Sequence, residues 1–445
     1  MGGGAGIAAV CDPVSAGRHQ LTDGEVGAFL ARARTLGHDP ARLLSGEVTE
    51  TFTPVPTLEQ LRELSNASLG ERRARQAVFF HPAIAIRRRL GQGVHDRCEA
   101  YVFADGTADE ADRARLALHL PFPARQFSVL YRRVAGGEIW DLSVEHPMLA
   151  IDDRDDLLSV VNVGELVIEP SGRVIVQGNL LMLGCRHLRH PAAAGDAGDY
   201  QLGVLPTPHP VDRRTGPKHG RAGAPSQHGR PGAAGTRPAG VPTMIGFALG
   251  EPPGDRMNGT DGTGGMPGGD GGRGRTGGAT KIAEITIGRL TGTLTLAAAG
   301  GRGGNGGDGG NGGAGGDGGD AAPGLRATTG PVPAGRAGRG GRGGDGGHGG
   351  HGGNGGISSN VFVTLPTRMA RQLRVMTYPA LGGAGGAGGR AGPGGKGGRN
   401  ADAQAATAAG GAGGTPGKSG RVGVRRPAPE VFVNGQPVTG RTAGQ

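Results

Sequence analysis

The sequence contains few of the large side chains that fill a hydrophobic core. Aromatic residues make up 3% of its 445 residues, and Trp140 is the only tryptophan. Glycine and proline are abundant instead, with 96 and 31 residues, a content typical of low-complexity sequence unless a repeat organises it. Close packing needs bulky side chains that interdigitate. We therefore expect any conventional core to be local.

Cysteines and long apolar runs are also scarce. The three cysteines, Cys11, Cys98 and Cys185, lie far apart, which excludes a disulfide scaffold and the CxxC motif. No run of about 20 apolar residues is present, so we expect no membrane span. Residues 1–19 are predicted to be a disordered N-terminus without a clear signal peptide, because no basic residue precedes the apolar run. The localisation is therefore unknown, and it is extracellular or at the cell surface if the chain is exported.

Lysine is rare as well, so the net charge of +10 is carried almost entirely by arginine. The charge keeps a glycine-rich chain soluble, and it also suits binding to nucleic acid or another polyanion. Two features weaken the RNA-binding interpretation of the GRGG motifs: no Phe or Tyr is interleaved with them, and Asp alternates with Arg. Binding to RNA stays an alternative.

Residues 20–120 are predicted to form a helical region. Thr22 is placed to cap GEVGAFLARARTLG, with Gly37 as its stop, and Thr57 precedes a second helix in which leucines fall three apart. The segment TADEADRARLALHL predicts a third helix.

The hydrophobic period changes to two over 126–184, which we interpret as a β region. QFSVLYRRVAGGEIWDLSV is a strand, a Gly-Gly turn and a strand, and Leu157–Leu183 alternates in the same way between regular turns. Short, even strands are typical of a meander or of the coils of a β-solenoid, and the lack of an aromatic core favours the solenoid. Residues 185–261 are interpreted as a Pro/Gly-rich linker, although Gly220, Gly223 and Gly229 share a collagen-like three-residue register.

Residues 262–445 combine Gly-Gly-X triplets with three interspersed strand pairs, of which the first is KIAEITIGRLTGTLTL from Lys281 and the second is NVFVTLPTRMARQLRVMTY from Asn360. The longest perfect run is GGRGGNGGDGGNGGAGGDGGD, from Gly300 to Asp320. A second run spans 335–356, and shorter or less regular runs surround the strand pairs. The last pair, PEVFVNGQPVTG, carries the Asn434-Gly435 hairpin signal.

A strict three-residue repeat places each position on its own face of a polyproline II helix. Gly-Gly-X then offers two bare faces, through which neighbouring helices can exchange backbone hydrogen bonds, and one X face in water. This geometry predicts arms packed as polyglycine II. The alternative is that the runs are disordered linkers, because ordering glycine costs more backbone entropy than ordering any other residue.

The triplets over about 262–421 resemble the glycine-rich PGRS regions of mycobacterial PE-PGRS proteins. More loosely, they are similar to polyglycine II bundles in an insect antifreeze protein and in phage tail-tip adhesins. The N-terminal PE domain of that family is absent. The resemblance implies a surface, adhesive or water-structuring role, and it brings no catalytic residues.

The sequence contains four clusters of metal-ligating side chains, and none fits a standard site. They are Cys185/His187/His190, His95 with Cys98, His348 with His351, and Asp152–Asp156. We therefore predict no catalytic, cofactor-binding or metal-binding residues and no cofactor.

The resulting prediction is an α+β chain in several parts. A small helical region precedes a β-solenoid-like or β-layer body and C-terminal polyglycine II arms. The predicted function is that of a non-enzymatic structural or surface-interaction protein, adhesive or scaffold-like, that self-associates or binds a surface partner. The alternative is a basic Gly/Arg-rich nucleic-acid-binding protein.

Overall fold

A computed structural model describes residues 19–65, 71, 74, 98–103, 110–143, 157–191, 200–208, 219–401, 406–438 and 441–442. The predicted disordered N-terminus, apart from His19, lies outside these residues. So do His95 and Asp152–Asp156.

Five short α-helices lie in the N-terminal part of the described chain: α1 Asp23–Thr35, α2 Pro40–Leu44, α3 Leu58–Leu64, α4 Cys98–Phe103 and α5 Glu110–Ala117. The predicted caps are confirmed. Thr22 forms a reciprocal capping box with Glu25, and Thr57 accepts a hydrogen bond from the Gln60 N–H at 3.2 Å. Gly37, the predicted stop, follows α1 closely and has a positive φ of +76°.

Eighteen strands make up most of the regular structure of the described residues. They are β1 Thr49–Val55, β2 Phe122–Val134, β3 Ile139–Asp141, β4 Leu158–Ile168, β5 Arg173–Gln177, β6 Leu180–His190, β7 Leu202–Leu205, β8 Gly240–Thr243, β9 Gly246–Leu249, β10 Ala283–Gly292, β11 Leu294–Ala299, β12 Leu325–Ala327, β13 Gly330–Val332, β14 Val361–Thr364, β15 Leu373–Tyr378, β16 Val431–Val433, β17 Gln436–Val438 and β18 Arg441–Thr442. Two 3₁₀ helices span Gly254–Met257 and Thr367–Gln372.

Two large sheets contain fourteen of these strands. The eight-stranded sheet has the order β1-β2-β4-β6-β10-β14-β16-β17, and the six-stranded sheet has the order β18-β15-β11-β7-β5-β3. All neighbours are parallel except β1 with β2 and β16 with β17. From β2 to β16 the strands alternate between the two large sheets, apart from the small hairpins β8–β9 and β12–β13. The two strands of a predicted pair such as β10 and β11 therefore lie in different sheets. The β16–β17 hairpin, with its Asn434-Gly435 turn at positive φ, is confirmed.

The main core lies between the two sheets and is almost entirely aliphatic. Val163 of β4, Leu183 of β6, Ile285 of β10 and Leu296 of β11 belong to one buried cluster. Strands covered on both sides read as nearly continuous hydrophobic runs, as β4 does. Val, Leu, Ile and Ala side chains therefore form this core with few aromatic residues.

In β4, β6 and β10 the side of the strand that faces the core changes at the same level, which we call the bend. Val163 is in the core, and so is Leu166, three residues later instead of two. Gly164 lies at the bend, where a Cβ would be 2.4 Å from the Leu130 carbonyl oxygen. Beyond the bend, Arg289 of β10 reaches α1, where its guanidinium pairs with Glu25 at 2.9 Å.

A second core lies on the other face of the eight-stranded sheet. Leu61 of α3, Leu116 of α5, Phe122 and Leu158 are fully buried there. The helices thus cover one sheet and do not form a domain core of their own.

The predicted fold class is therefore wrong. The protein is mostly sheet, dominated by a large mixed eight-stranded sheet, and its helices are few and short. Among the described residues, two large sheets stand in place of the predicted solenoid body. The Gly-Gly-X runs there lie outside every helix and strand and are not shown as the predicted polyglycine II arms. Strand β1 lies inside the predicted helical region, because TETFTPV pairs along its whole length with β2.

Candidate interaction surface

Three long connections run from the six-stranded sheet to the eight-stranded sheet, and each contains two extended segments. We call these six segments together the plate. The first (219–236) and second (258–279) connect β7 to β10, the third (300–322) and fourth (335–356) connect β11 to β14, and the fifth (380–400) and sixth (406–426) connect β15 to β16. Odd-numbered segments leave the six-stranded sheet, and even-numbered segments return to the eight-stranded sheet. The β8–β9 and β12–β13 hairpins join the first two pairs at their far ends.

Backbone hydrogen bonds join the segments at every third residue. Segments two apart in the chain run parallel: the Gly306 N–H donates to the Ala384 carbonyl at 2.8 Å. Consecutive segments run antiparallel: the Gly350 N–H donates to Gly307 at 2.8 Å, and the Gly307 N–H donates to Gly272 at 2.9 Å. This connectivity gives two layers of three segments each. The run from Gly300 therefore lies hydrogen-bonded beside the fourth segment.

Glycine is required at the inner positions because the backbones approach too closely for a side chain. A Cβ on Gly307 would lie 2.0 Å from the Arg221 carbonyl oxygen, and a Cβ on Gly306 would lie 2.0 Å from that of Gly350. Arg221 belongs to the first segment, which the sequence places in a linker. That segment nevertheless donates backbone hydrogen bonds to the third at three-residue intervals.

The breaks in the triplet pattern of the sixth segment lie where the plate ends. Pro416, Ser419 and Val422 are exposed and occupy positions equivalent to Gly413. A Cβ on Gly413 would have its nearest neighbour at 3.7 Å, which is ordinary van der Waals distance. Side chains are accommodated here because no further segment of the described chain lies on this side.

The X residues bond to the neighbouring parallel segment. In the third segment, acceptor side chains bind the otherwise unpaired X N–H groups of the fifth at 2.7–3.0 Å: Asn305 to Ala384, Asp308 to Ala387, Asn311 to Arg390, Asp317 to Lys396 and Asp320 to Arg399. The two layers are therefore reinforced on their outer faces by side chains.

This use of X residues extends through the whole plate. All six Asp, all five Asn and all four His of the six segments accept a backbone N–H from another segment. His348 and His351, considered above as metal ligands, accept through Nδ1 from Lys418 and Arg421 at 3.0 and 2.9 Å. Both histidines therefore join the fourth segment to the sixth.

The plate carries both acidic and basic side chains. The six segments contain 15 basic and six acidic residues. Each acidic side chain bonds to a backbone N–H, although most of them, such as Asp308 and Asp317, are exposed in the same way as Arg302, Arg336 and Arg339. Within the described plate the recorded ion pair is Arg342 with Asp345, at 2.9 Å. Hydrogen bonds from the backbone N–H and the hydroxyl of Thr415, with a contribution from Arg342, hold the pKa of Asp345 below its usual value.

The predicted Cys185/His187/His190 cluster is not brought together as a ligand set. Cys185 lies in the core between the sheets, where burial raises the pKa of its thiol to about 12. His187 lies beyond the bend, 3.5 Å from buried Glu165, and burial lowers its pKa. The His190 Nδ1 is 2.8 Å from the Ile168 carbonyl oxygen. Across the described residues, no group of three or more His, Cys, Asp or Glu side chains could hold a metal ion.

Comparison of the chain with protein-family models, with curated proteins and with solved structures finds no match. Among the described residues, none of the helices has the length and apolar character needed to cross a membrane.

Proposed function

We propose that the protein is a non-enzymatic, scaffold-like surface-interaction protein, and that the plate is its interaction element. The observation that carries this proposal is the placement of the Asp, Asn and His side chains. They join neighbouring segments through hydrogen bonds to backbone N–H groups, which supports a plate that presents one fixed surface. The hairpins at the far end of the plate, β8–β9 and β12–β13, belong to neither of the two large sheets, so the far end of the plate lies outside both sheets.

The proposal requires the plate to be rigid in solution. Hydrogen exchange of the full chain, followed by mass spectrometry, measures this directly. We expect slow exchange at inner glycines such as Gly307 and Gly350, and fast exchange at Gly413, whose N–H has no backbone partner among the described residues. Uniform, fast exchange over 300–356 would remove the basis of the proposal, because a flexible spacer presents no fixed surface.

Nucleic-acid binding is the second candidate, favoured by the exposed arginines. A cleft of about 460 Å³ at the base of the plate is lined by Arg273, Arg275, Thr276 and Asn354. Binding of a single-stranded RNA should weaken steeply with salt, and Arg273→Gln/Arg275→Gln should reduce the slope of log K against log salt. Arg221→Gln/Arg230→Gln, which removes the same charge from the first segment, is the matched control. Equal losses in both variants would indicate general attraction without a site.

A further inference from the structure

The far end of the plate carries an exposed apolar hairpin turn. In the β8–β9 hairpin Thr243 pairs with Gly246, which leaves Met244 and Ile245 as the two turn residues. Met244 is fully exposed, and Ile245 is 89% exposed. Phe247, on β9, is more than half exposed. Two-residue hairpin turns are normally built from Gly, Asn or Asp, so this apolar pair is unusual.

The neighbouring hairpin indicates that the fold does not require these residues. In β12–β13 Ala327 pairs with Gly330, and the turn residues are Thr328 and Thr329. The glycine after each turn has nearly the same φ, +133° at Gly246 and +127° at Gly330. The two hairpins are adjacent, since the Thr328 N–H donates to the Phe247 carbonyl at 2.9 Å. One turn geometry is thus made with Thr-Thr in one hairpin and with Met-Ile in the other.

Basic side chains lie on the elements that adjoin the apolar turn. Arg326 is exposed on β12 of the neighbouring hairpin, and Arg237 precedes β8. Further exposed basic residues lie at the far ends of the fourth and fifth segments: Arg336, Arg339, Lys396 and Arg399. Acidic residues are also exposed at this end, namely Glu251 and Asp255 after β9, Asp261 on the second segment, and Asp317 and Asp320 on the third. With Arg256 included, the exposed basic residues outnumber the acidic ones, so the far end combines a protruding apolar tip with a rim that is basic on balance.

We propose that the β8–β9 tip docks on an anionic lipid surface, with Met244, Ile245 and Phe247 entering the interfacial layer and the arginines facing the headgroups. Apolar residues at an exposed tip with Lys or Arg beside them are the features that favour peripheral binding to such a surface. A lipid surface accepts a convex tip without needing a matching pocket, and its negative charge is complementary to the rim. The inference deepens the proposed surface-interaction role and rests on it, because the plate must hold the tip away from the sheets.

Sedimentation of the full chain with vesicles tests the proposal. The vesicles contain 30% phosphatidylserine in phosphatidylcholine, and phosphatidylcholine alone is the comparison. We expect binding to the anionic vesicles that weakens with salt, and a loss of at least about tenfold in Met244→Thr/Ile245→Thr. This variant copies the Thr-Thr turn of the neighbouring hairpin, so the fold should be preserved. Val422→Thr/Val424→Thr removes exposed apolar surface from the sixth segment and should bind as the unsubstituted chain does.

Three outcomes would overturn the proposal. The first is equal binding of the tip variant and the unsubstituted chain. The second is the absence of binding to anionic vesicles while hydrogen exchange still finds the plate protected, which would leave the scaffold role standing. The third is self-association of the unsubstituted chain in sedimentation velocity, abolished by Met244→Thr/Ile245→Thr, which would make a second copy the occupant of the tip.

Discussion

Ala314 of the third segment lies opposite Pro393 of the fifth, in the same register that joins Asn311 to Arg390 and Asp317 to Lys396. The Gly315 N–H, one residue after Ala314, donates to the Pro393 carbonyl at 2.9 Å. Between Asn305 and Asp320, Ala314 is the only X residue without an acceptor side chain. Pro393 is the one X residue opposite this stretch without an N–H. An acceptor is missing where there is no donor to bind.

This complementarity predicts unequal effects of similar substitutions. Asn311→Ala leaves the Arg390 N–H without its acceptor and should lower the free energy of unfolding by about 0.5–1.5 kcal/mol. Ala314→Asn should be neutral to within about 0.5 kcal/mol, because its new amide finds no N–H on Pro393. Equilibrium unfolding in urea measures both.

A double-mutant cycle isolates the interaction between these two positions. Pro393→Ala creates an N–H, and Ala314→Asn in that background supplies its acceptor. We expect a favourable coupling energy of about 0.5–1 kcal/mol, since the entropic effect of losing proline cancels in the cycle. A coupling energy of zero would mean that the side-chain bonds of the plate contribute nothing to stability.

The sequence predicts some of these features and not others, for physical reasons. Local signals are reliable: Thr22, Thr57 and the Asn434-Gly435 turn act within a few residues of themselves. The triplet repeat also identifies the glycine positions at which backbones approach closely. It does not predict which segments become neighbours, because bonds such as Asn311 to Arg390 join residues 79 apart. No local pattern fixes that register.

The same limit explains the errors in the fold class. Strands β10 and β11 are consecutive and look like a pair, yet each bonds to strands much farther along the chain. The first segment has glycine only at every third position, because it lies at the edge of the plate. Its resemblance to a linker follows from that edge position.

Close backbone approach predicts a strong contrast between two glycines. Gly307→Ala should destabilise the plate by about 3 kcal/mol or more, because the Cβ would lie 2.0 Å from the Arg221 carbonyl oxygen and backbone must move. Gly413→Ala, with its nearest neighbour at 3.7 Å, should cost little. Hydrogen exchange at Gly350 should accelerate in the first variant and not in the second. Similar exchange in both would contradict the packed arrangement.

Asp345 predicts a local pH dependence. Its folded pKa is depressed by the two hydrogen bonds from Thr415, so the stabilisation is present above the unfolded value of about 3.9 and is lost as pH falls through the folded value. The amide resonance of Thr415 should therefore titrate at a pH below about 3.9. Asp345→Asn keeps the acceptor oxygen and should abolish this titration while preserving slow exchange at Thr415. Titration of Thr415 at or above the ordinary carboxyl pKa would contradict the bond.

Burial of Cys185 predicts that its thiol is inert in the folded protein. With a pKa raised to about 12 by burial, the thiolate fraction at pH 8 is on the order of 10⁻⁴, and the side chain lies between two sheets that exclude reagents. Iodoacetamide labelling followed by peptide mass spectrometry should find Cys185 unmodified in buffer and fully modified in denaturant. Because the core that covers Cys185 is shared by both sheets, its labelling rate in increasing urea should report their common opening. Rapid labelling under native conditions would mean that the sheets separate without global unfolding, and the far end of the plate would then lack a fixed base.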